Sequence, residues 1–265
     1  MIPTHLAPAA RRLAELPRGE GSIELLYEDG VVEVVVNNPT RSGAIGPGMM
    51  ADLSGLGALL DTHAPAAVVI HSTSPPGRAF CAGGDLKSVR AHLMSPEAAA
   101  DMCDLMSWVL DGLRAALCVV VAAVEGPALG GGAELLTVCD RVFAGPDARV
   151  GFVHARLGVS PGWGGGQRLV ERVGHRRALW WLTEARSVDA QESLEQGMLD
   201  VLVQRGQALS AARRHARKLA ELPRDALQAA VALARGTVES ERALFLTLWG
   251  GPDHRAALGR SRVGR

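Results

Sequence analysis

The chain has 265 residues, 48% of them hydrophobic and 21% charged, which is enough apolar material for one sizeable core and unlike the composition of a disordered segment. Lys+Arg and Asp+Glu are equal at 28 each, so no overall field draws the protein to nucleic acid or to an anionic membrane. No apolar run approaches the roughly 18 residues of a membrane span, the N-terminus lacks the charged-then-apolar pattern of a secretory signal, and Cys81, Cys103, Cys118 and Cys139 form no CxxC pair, which together predict a reduced, cytoplasmic protein.

Residues 1–20 carry no strong pattern and are read as a variable segment. Residues 23–27 and 31–36 read as strands joined by the turn pair Asp29-Gly30, so a hairpin opens the fold. Short β-branched runs recur at 66–71, 118–124, 141–144 and 201–203, with helical patterns between them at 48–61, 96–116 and 131–139. This alternation predicts an α/β core over residues 21–205 in which helices cover parallel strands. From Trp163 onward the pattern is mostly helical, at 164–173, 175–184 and 189–196, where Asp189 and Glu192 have capping-box spacing. Residues 207–220, 224–235 and 240–249 complete a helical C-terminal region, 206–265.

Two glycine-rich turns carry the chemical signal. Ala79-Phe80-Cys81-Ala82-Gly83-Gly84-Asp85-Leu86 follows the 66–71 strand. Alone it reads as a turn that needs φ > 0. Ala128-Leu129-Gly130-Gly131-Gly132-Ala133-Glu134-Leu135 lies between the 118–124 strand and a helix. Three glycines opening a helix put free N–H groups at one spot, which favours negative charge. A P-loop would need Lys-Ser/Thr after the glycines and a dinucleotide loop would need GxGxxG; neither is present, which leaves a developing oxyanion as the reading.

The pair, about 45 residues apart, resembles the pattern of the crotonase (enoyl-CoA hydratase/isomerase) superfamily. The resemblance runs from about Ile23 to the C-terminus and includes Asn37-Asn38-Pro39, Cys139-Asp140, Pro161-Gly162-Trp163-Gly164-Gly165 and Gly197-Met198-Leu199-Asp200. It implies a spiral of repeated ββα units with a helical C-terminal oligomerisation region, and assembly as a homotrimer or a dimer of trimers. It further implies an acyl-CoA thioester as substrate, no metal, and no cofactor other than the coenzyme A of the substrate itself. By the same resemblance the amides of Gly84 and Gly131 form an oxyanion hole, with Gly83 and Gly130 shaping it. The resemblance also implies that backbone from Ala82 through Gly83 and Asp85 to Leu86 meets the adenine, and that Arg41 either reaches a phosphate or is a solvated loop arginine. Gly43-Ala44-Ile45 stands where the family has Asn-Ala-Leu, so Ala44 marks a CoA-entry loop of altered shape.

Hydratases of the family use two carboxylates, because water needs a base and the α-carbon a proton donor. Glu134 matches the first. In Phe152-Val153-His154-Ala155-Arg156-Leu157-Gly158 the second position holds His154, a group that is either a satisfied structural histidine or a titratable one able to hold a carboxylate or deliver a proton. Phe152-Val153-His154, the Trp163 motif and the ending Leu248-Trp249-Gly250-Gly251-Pro252 resemble the ethylmalonyl-CoA decarboxylase group. That implies decarboxylation of a branched malonyl-CoA, ethylmalonyl-CoA or methylmalonyl-CoA, with Phe152, Val153 and Trp163 as apolar surroundings of the reacting carboxylate. The alternative is an enoyl-CoA hydratase or isomerase in which His154 replaces the second carboxylate.

Overall fold

The computed structural model describes residues 2–260; residues 261–265 of the predicted C-terminal region lie outside them. Nine strands form among the described residues: β1 (Ser22–Glu28), β2 (Val31–Asn37), β3 (Ala67–Ser72), β4 (Val119–Val124), β5 (Pro127–Leu129), β6 (Arg141–Ala144), β7 (Arg149–Gly151), β8 (Val188–Asp189) and β9 (Val201–Leu202). Six make one sheet in the order β1-β2-β3-β4-β6-β9. The β1–β2 hairpin is antiparallel and every later pairing in that sheet is parallel. A second sheet, β5-β7-β8, is small.

Both faces of the large sheet are covered, and the period-2 alternation of the strands divides the residues between them. Val32, Val34, Val36, Val68, Ile70, Val120, Ala122 and Val124 point into the main core. Val31, Ala67, Val69, Val121 and Ala123 face the helix Ala208–Ala220 through its small residues Ala208, Ala211, Ala212 and Ala216. That helix is therefore part of the sheet packing, although its sequence position placed it in the C-terminal region. Its N-terminus is tied to the core by Glu125, whose carboxylate accepts from Gly206 N at 2.9 Å and Ala208 N at 2.7 Å.

Three further features depart from the sequence reading. Residues 7–15 form a helix that buries Ala9, Ala10 and Leu13, where no strong pattern was evident. The predicted 48–61 helix divides into Pro47–Leu53 and Leu56–His63 at Ser54-Gly55. The 131–139 helix stops at Leu136. Asp189 does cap its helix, accepting from Glu192 N at 2.9 Å, but the Glu192 carboxylate is taken by Arg186 instead of closing the box. No helix among the described residues is long and apolar enough to cross a membrane.

One ion cluster ties the Ala208–Ala220 helix to the sheet. Arg213 grips Glu33 with two hydrogen bonds of 2.7 Å, and His71 Nε2 lies 3.1 Å from the same carboxylate. Arg213, then His71, hold the Glu33 carboxyl below the ordinary value of 4.5 against the opposing effect of burial. A depressed folded-state pKa contributes stability above the unfolded value, and that contribution is lost as pH falls through the folded one. Glu33→Gln is thus expected to remove on the order of 1 kcal/mol at neutral pH and to flatten the loss of stability below about pH 4.5. Urea melts across that range check it; parallel wild-type and variant acid limbs would contradict it.

Candidate active site

The two glycine turns are brought together by backbone pairing. Cys81 N donates to Pro127 O at 3.2 Å and Leu129 N to Cys81 O at 2.9 Å, which lays the first turn along β5. On its other side Ile45 N donates to Gly83 O at 2.8 Å and Asp85 N to Ile45 O at 3.0 Å. In a parallel bridge of that kind the intervening residue directs its own N–H away from the partner strand, so the Gly84 N–H faces away from Ile45. Gly83 has φ +98 and approaches the second turn so closely that a Cβ there would lie 2.9 Å from Leu129 O and 3.0 Å from Gly131 N. Gly130, at φ 55, anchors its amide on Gly151 O at 2.8 Å and turns the chain into the helix Gly131–Leu136. Gly131 is the first residue of that helix, where an N–H has no intrahelical acceptor.

Glu134 is the buried centre of the site, 1% exposed. Its Oε2 accepts from Trp163 N at 2.8 Å and Gly165 N at 2.9 Å; its Oε1 accepts from His154 Nε2 at 3.0 Å and Gly162 N at 3.4 Å. His154 sits on the 3₁₀ turn Val153–Leu157 that follows β7. Its Nδ1 is buried and has no partner among the described residues. A Cβ on Gly130 would meet His154 Nε2 at 3.8 Å and Val153 Cγ2 at 4.0 Å, so both side chains lean on the glycine triplet.

Trp163, 4% exposed, packs the six-membered ring of its indole against Gly131, where a Cβ would overlap three ring atoms. Phe152 is fully buried, meets Trp181 edge-on at 6.4 Å and lies 6.1 Å, ring to ring, from His154. Ala44 is buried, its carbonyl held by Asn38 Nδ2 at 2.7 Å. Asp85 caps the helix Leu86–His92 through Lys87 N at 3.0 Å and Ser88 Oγ at 2.9 Å. Leu86 and Arg41 are exposed, and Ser42, next to Arg41, accepts Ala82 N at 3.0 Å. The backbone beside Arg41 is thereby tied to Ala82.

Sequence reasoning missed two residues. Arg168, 4% exposed, donates to Thr137 Oγ1 at 3.1 Å, to Asp111 Oδ1 at 2.7 Å and to the carbonyl of Trp163. Burial pulls its guanidinium below the ordinary value, while Asp111 and then Glu134 oppose that. The signal was present: Gly165, Arg168, Leu169 and Val173 form the buried stripe of one helix, and an arginine on such a stripe needs polar partners. The other is Cys103, whose Sγ would lie 3.0 Å from a Cβ on Gly162; burial and then Glu134 raise its pKa. Burial lifts Cys81, Cys118 and Cys139 to about 12. No metal-ligating cluster occurs among the described residues.

Residues 27–247 match the family model for enoyl-CoA hydratase/isomerase. The chain belongs to the enoyl-CoA hydratase/isomerase family. Within that family it is 35% identical over 260 residues to the ethylmalonyl-CoA decarboxylase of Danio rerio, covering 93% of this chain and 85% of the relative. It is 33% identical over 253 residues to the protein of the same name from Mus musculus, covering 91% and 77%. Its fold is shared by the crystal structure of the enoyl-CoA hydratase from Bacillus anthracis, with a TM-score of 0.84 at 25% identity over 92% of this chain and 97% of that one. An enoyl-CoA hydratase from Polaromonas sp. JS666 gives 0.82 at 25% identity over 92% and 98%. The crotonase-type α/β architecture expected from the two glycine turns is the architecture of this enoyl-CoA hydratase/isomerase family member.

Proposed function

We propose that the protein decarboxylates a branched malonyl-CoA, ethylmalonyl-CoA or methylmalonyl-CoA, through a thioester enolate. The observation that carries this reading is His154, whose Nε2 lies 3.0 Å from Glu134 Oε1 at the position where a hydratase carries its second carboxylate. Glu134 in turn is held by three amides and that imidazole. Similarity to proteins named ethylmalonyl-CoA decarboxylase over most of the chain supports the same substrate class.

The carbon–carbon bond to the leaving carboxylate breaks, its electron pair flows to the thioester oxygen, and CO2 departs. The amides of Gly84 and Gly131 receive the enolate oxygen; preorganised donors of this type are worth about 3 to 4 kcal/mol each. A dry apolar wall from Val153 and Trp163 favours exchanging a charged carboxylate for neutral CO2. His154, oriented by Glu134, is the proton donor to the α-carbon, and its unpartnered Nδ1 is the kind of buried atom that a bound substrate would satisfy. On this reading Glu134 is a positioning residue. Backbone from Ala82 to Leu86 meets the adenine, with Arg41 toward a phosphate and Ala44 shaping the entry.

The protein assembles as a homotrimer or a dimer of trimers. The helix Glu241–Leu248 buries none of its own residues, and its Phe245 and Leu246 stand exposed together with Trp249 at its C-terminal end, an apolar surface that a second copy would cover. A cytoplasmic setting agrees with four free cysteines.

A panel of acyl-CoA substrates followed by mass spectrometry tests the reaction. The expected result is loss of the mass of CO2 from ethylmalonyl-CoA or methylmalonyl-CoA, with crotonyl-CoA nearly inert. Gain of the mass of water on crotonyl-CoA, with malonyl thioesters unchanged, would establish the hydratase reading in its place.

A further inference from the structure

His154 and Glu134 meet through one hydrogen bond, Nε2 to Oε1 at 3.0 Å. The other ring nitrogen, Nδ1, is buried and has no partner among the described residues. The ring is fixed between the glycine triplet, where a Cβ on Gly130 would meet Nε2 at 3.8 Å, and Phe152 at 6.1 Å. Few charged groups face the pair. The charge of Glu134 reaches Arg168 on the helix Gly165–Val173 and Cys103 on the helix Pro96–Ala115. The helix His175–Glu184 meets this turn through Trp181 against Phe152, and Arg156, on the same turn as His154, is exposed.

An ionised carboxylate only accepts, and an imidazole nitrogen either donates or accepts. With a single proton on the pair, that proton lies between Oε1 and Nε2, Nδ1 is a bare lone pair, and the pair is negative. With a second proton, Nδ1 becomes an N–H and the pair has no net charge, on whichever side the bridging proton sits. While nothing faces Nδ1 the first state is favoured, because an unpaired donor on a buried imidazolium costs more than an unpaired lone pair on a neutral ring. That state repels an anion. A malonyl carboxylate can therefore be held at Nδ1 only if a proton arrives with it. The reaction consumes one proton as well: the bond to the carboxylate breaks, its electron pair becomes the enolate, and that pair then forms the new C–H bond at the α-carbon.

We propose that His154 and Glu134 form a proton-coupled anion site: the malonyl carboxylate and a proton are taken up together, the proton resting on Nδ1, and the same proton is delivered to the α-carbon once CO2 has left. The pair then returns to its single-proton state. An acyl thioester without the carboxylate, the product included, draws no proton into the site. The inference rests on the decarboxylase reading above and adds how the site senses that the acyl group carries an anion.

Isothermal titration calorimetry in buffers of different ionisation enthalpy counts the protons taken up on binding. The probes are the sulfonate analogue of methylmalonyl-CoA, whose sulfonate cannot leave as CO2, and propionyl-CoA, which lacks the anion and corrects for the CoA phosphates. The sulfonate is expected to bring in about one proton more per site than propionyl-CoA, and its affinity to fall about tenfold per unit rise in pH over that range, while that of propionyl-CoA stays level. His154→Asn puts an uncharged N–H near the place of Nδ1. It is expected to hold the sulfonate without the proton, and to release CO2 from ethylmalonyl-CoA slower by about 10² or more. Equal uptake for the two probes in wild type overturns the proposal, as does a sulfonate that does not bind where propionyl-CoA does. Wild-type uptake in His154→Asn, folded by circular dichroism, overturns it too; if that variant does not fold, the two pH slopes of wild type decide. Wild type that binds the sulfonate with its proton but releases no CO2 from any malonyl thioester overturns the decarboxylase reading instead, and leaves the anion site standing.

Discussion

Gly131→Ala is expected to cut CO2 release from ethylmalonyl-CoA by about 10² to 10³-fold, the effect of losing one oxyanion donor. The added methyl has nowhere to go. It would overlap the six-membered ring of Trp163, and that ring cannot swing aside, because Trp163 is 4% exposed and its backbone is bonded at both ends. The helix start must shift instead, carrying the Gly131 N–H off the enolate oxygen. A side-chain substitution thus reaches a backbone donor that mutation cannot otherwise delete. CoA binding, read by equilibrium dialysis, is expected to change little, since the turn at residues 82–86 that we propose meets the adenine is on the other chain segment. A folded Gly131→Ala enzyme with turnover within about threefold of wild type would remove the Gly131 amide from the mechanism.

The second large effect is at Glu134. Glu134→Ala strips the acceptor from the buried amides of Trp163 and Gly165, from the longer contact with Gly162, and from His154. Each unsatisfied buried amide costs about 1 to 3 kcal/mol, and partial refilling by water offsets some of it, so a net loss of about 3 kcal/mol is expected. Urea unfolding with an unchanged m-value reads that loss. Turnover is expected to fall by about 10² or more, because His154 loses its orientation along with its partner. Glu134→Gln, which keeps one acceptor oxygen, should recover part of the stability and less of the rate. If Glu134→Ala is as stable as wild type, the carboxylate does not organise the turn.

Much of the fold was legible in the residues. The hairpin about Asp29-Gly30, the parallel strands 66–71 and 118–124, and the glycine turns all reappear as β1 to β4 and the site loops. What was missed is short or quiet. The strands β5, β7 and β8 have three, three and two residues, too few for a period-2 pattern to stand out. The helix at residues 7–15 is stabilised by burying Ala9, Ala10 and Leu13 against neighbours far along the chain, which local propensity does not report. The Ala208–Ala220 helix resembled a surface appendage because its buried stripe is made of alanines, a residue that fits tight helix-on-sheet contact without a strong hydrophobic signal.

The residue types and their spacing along the chain determined which chemistry is available here: glycines wherever the backbone must come close, a carboxylate after the triplet, and an imidazole where a hydratase carries a second acid. That follows from sequence alone because φ > 0, close approach and proton affinity are properties of individual residues. Only the tertiary structure decided what those groups do to one another. Glu134 finds its partners 20 to 31 positions later, Gly83 rests on Gly131 from the far side of two helices and two strands, and Arg168 is drawn inward by acceptors on three different elements. Hydrogen-bond partners and burial belong to a packed environment, so no residue's identity states them in advance.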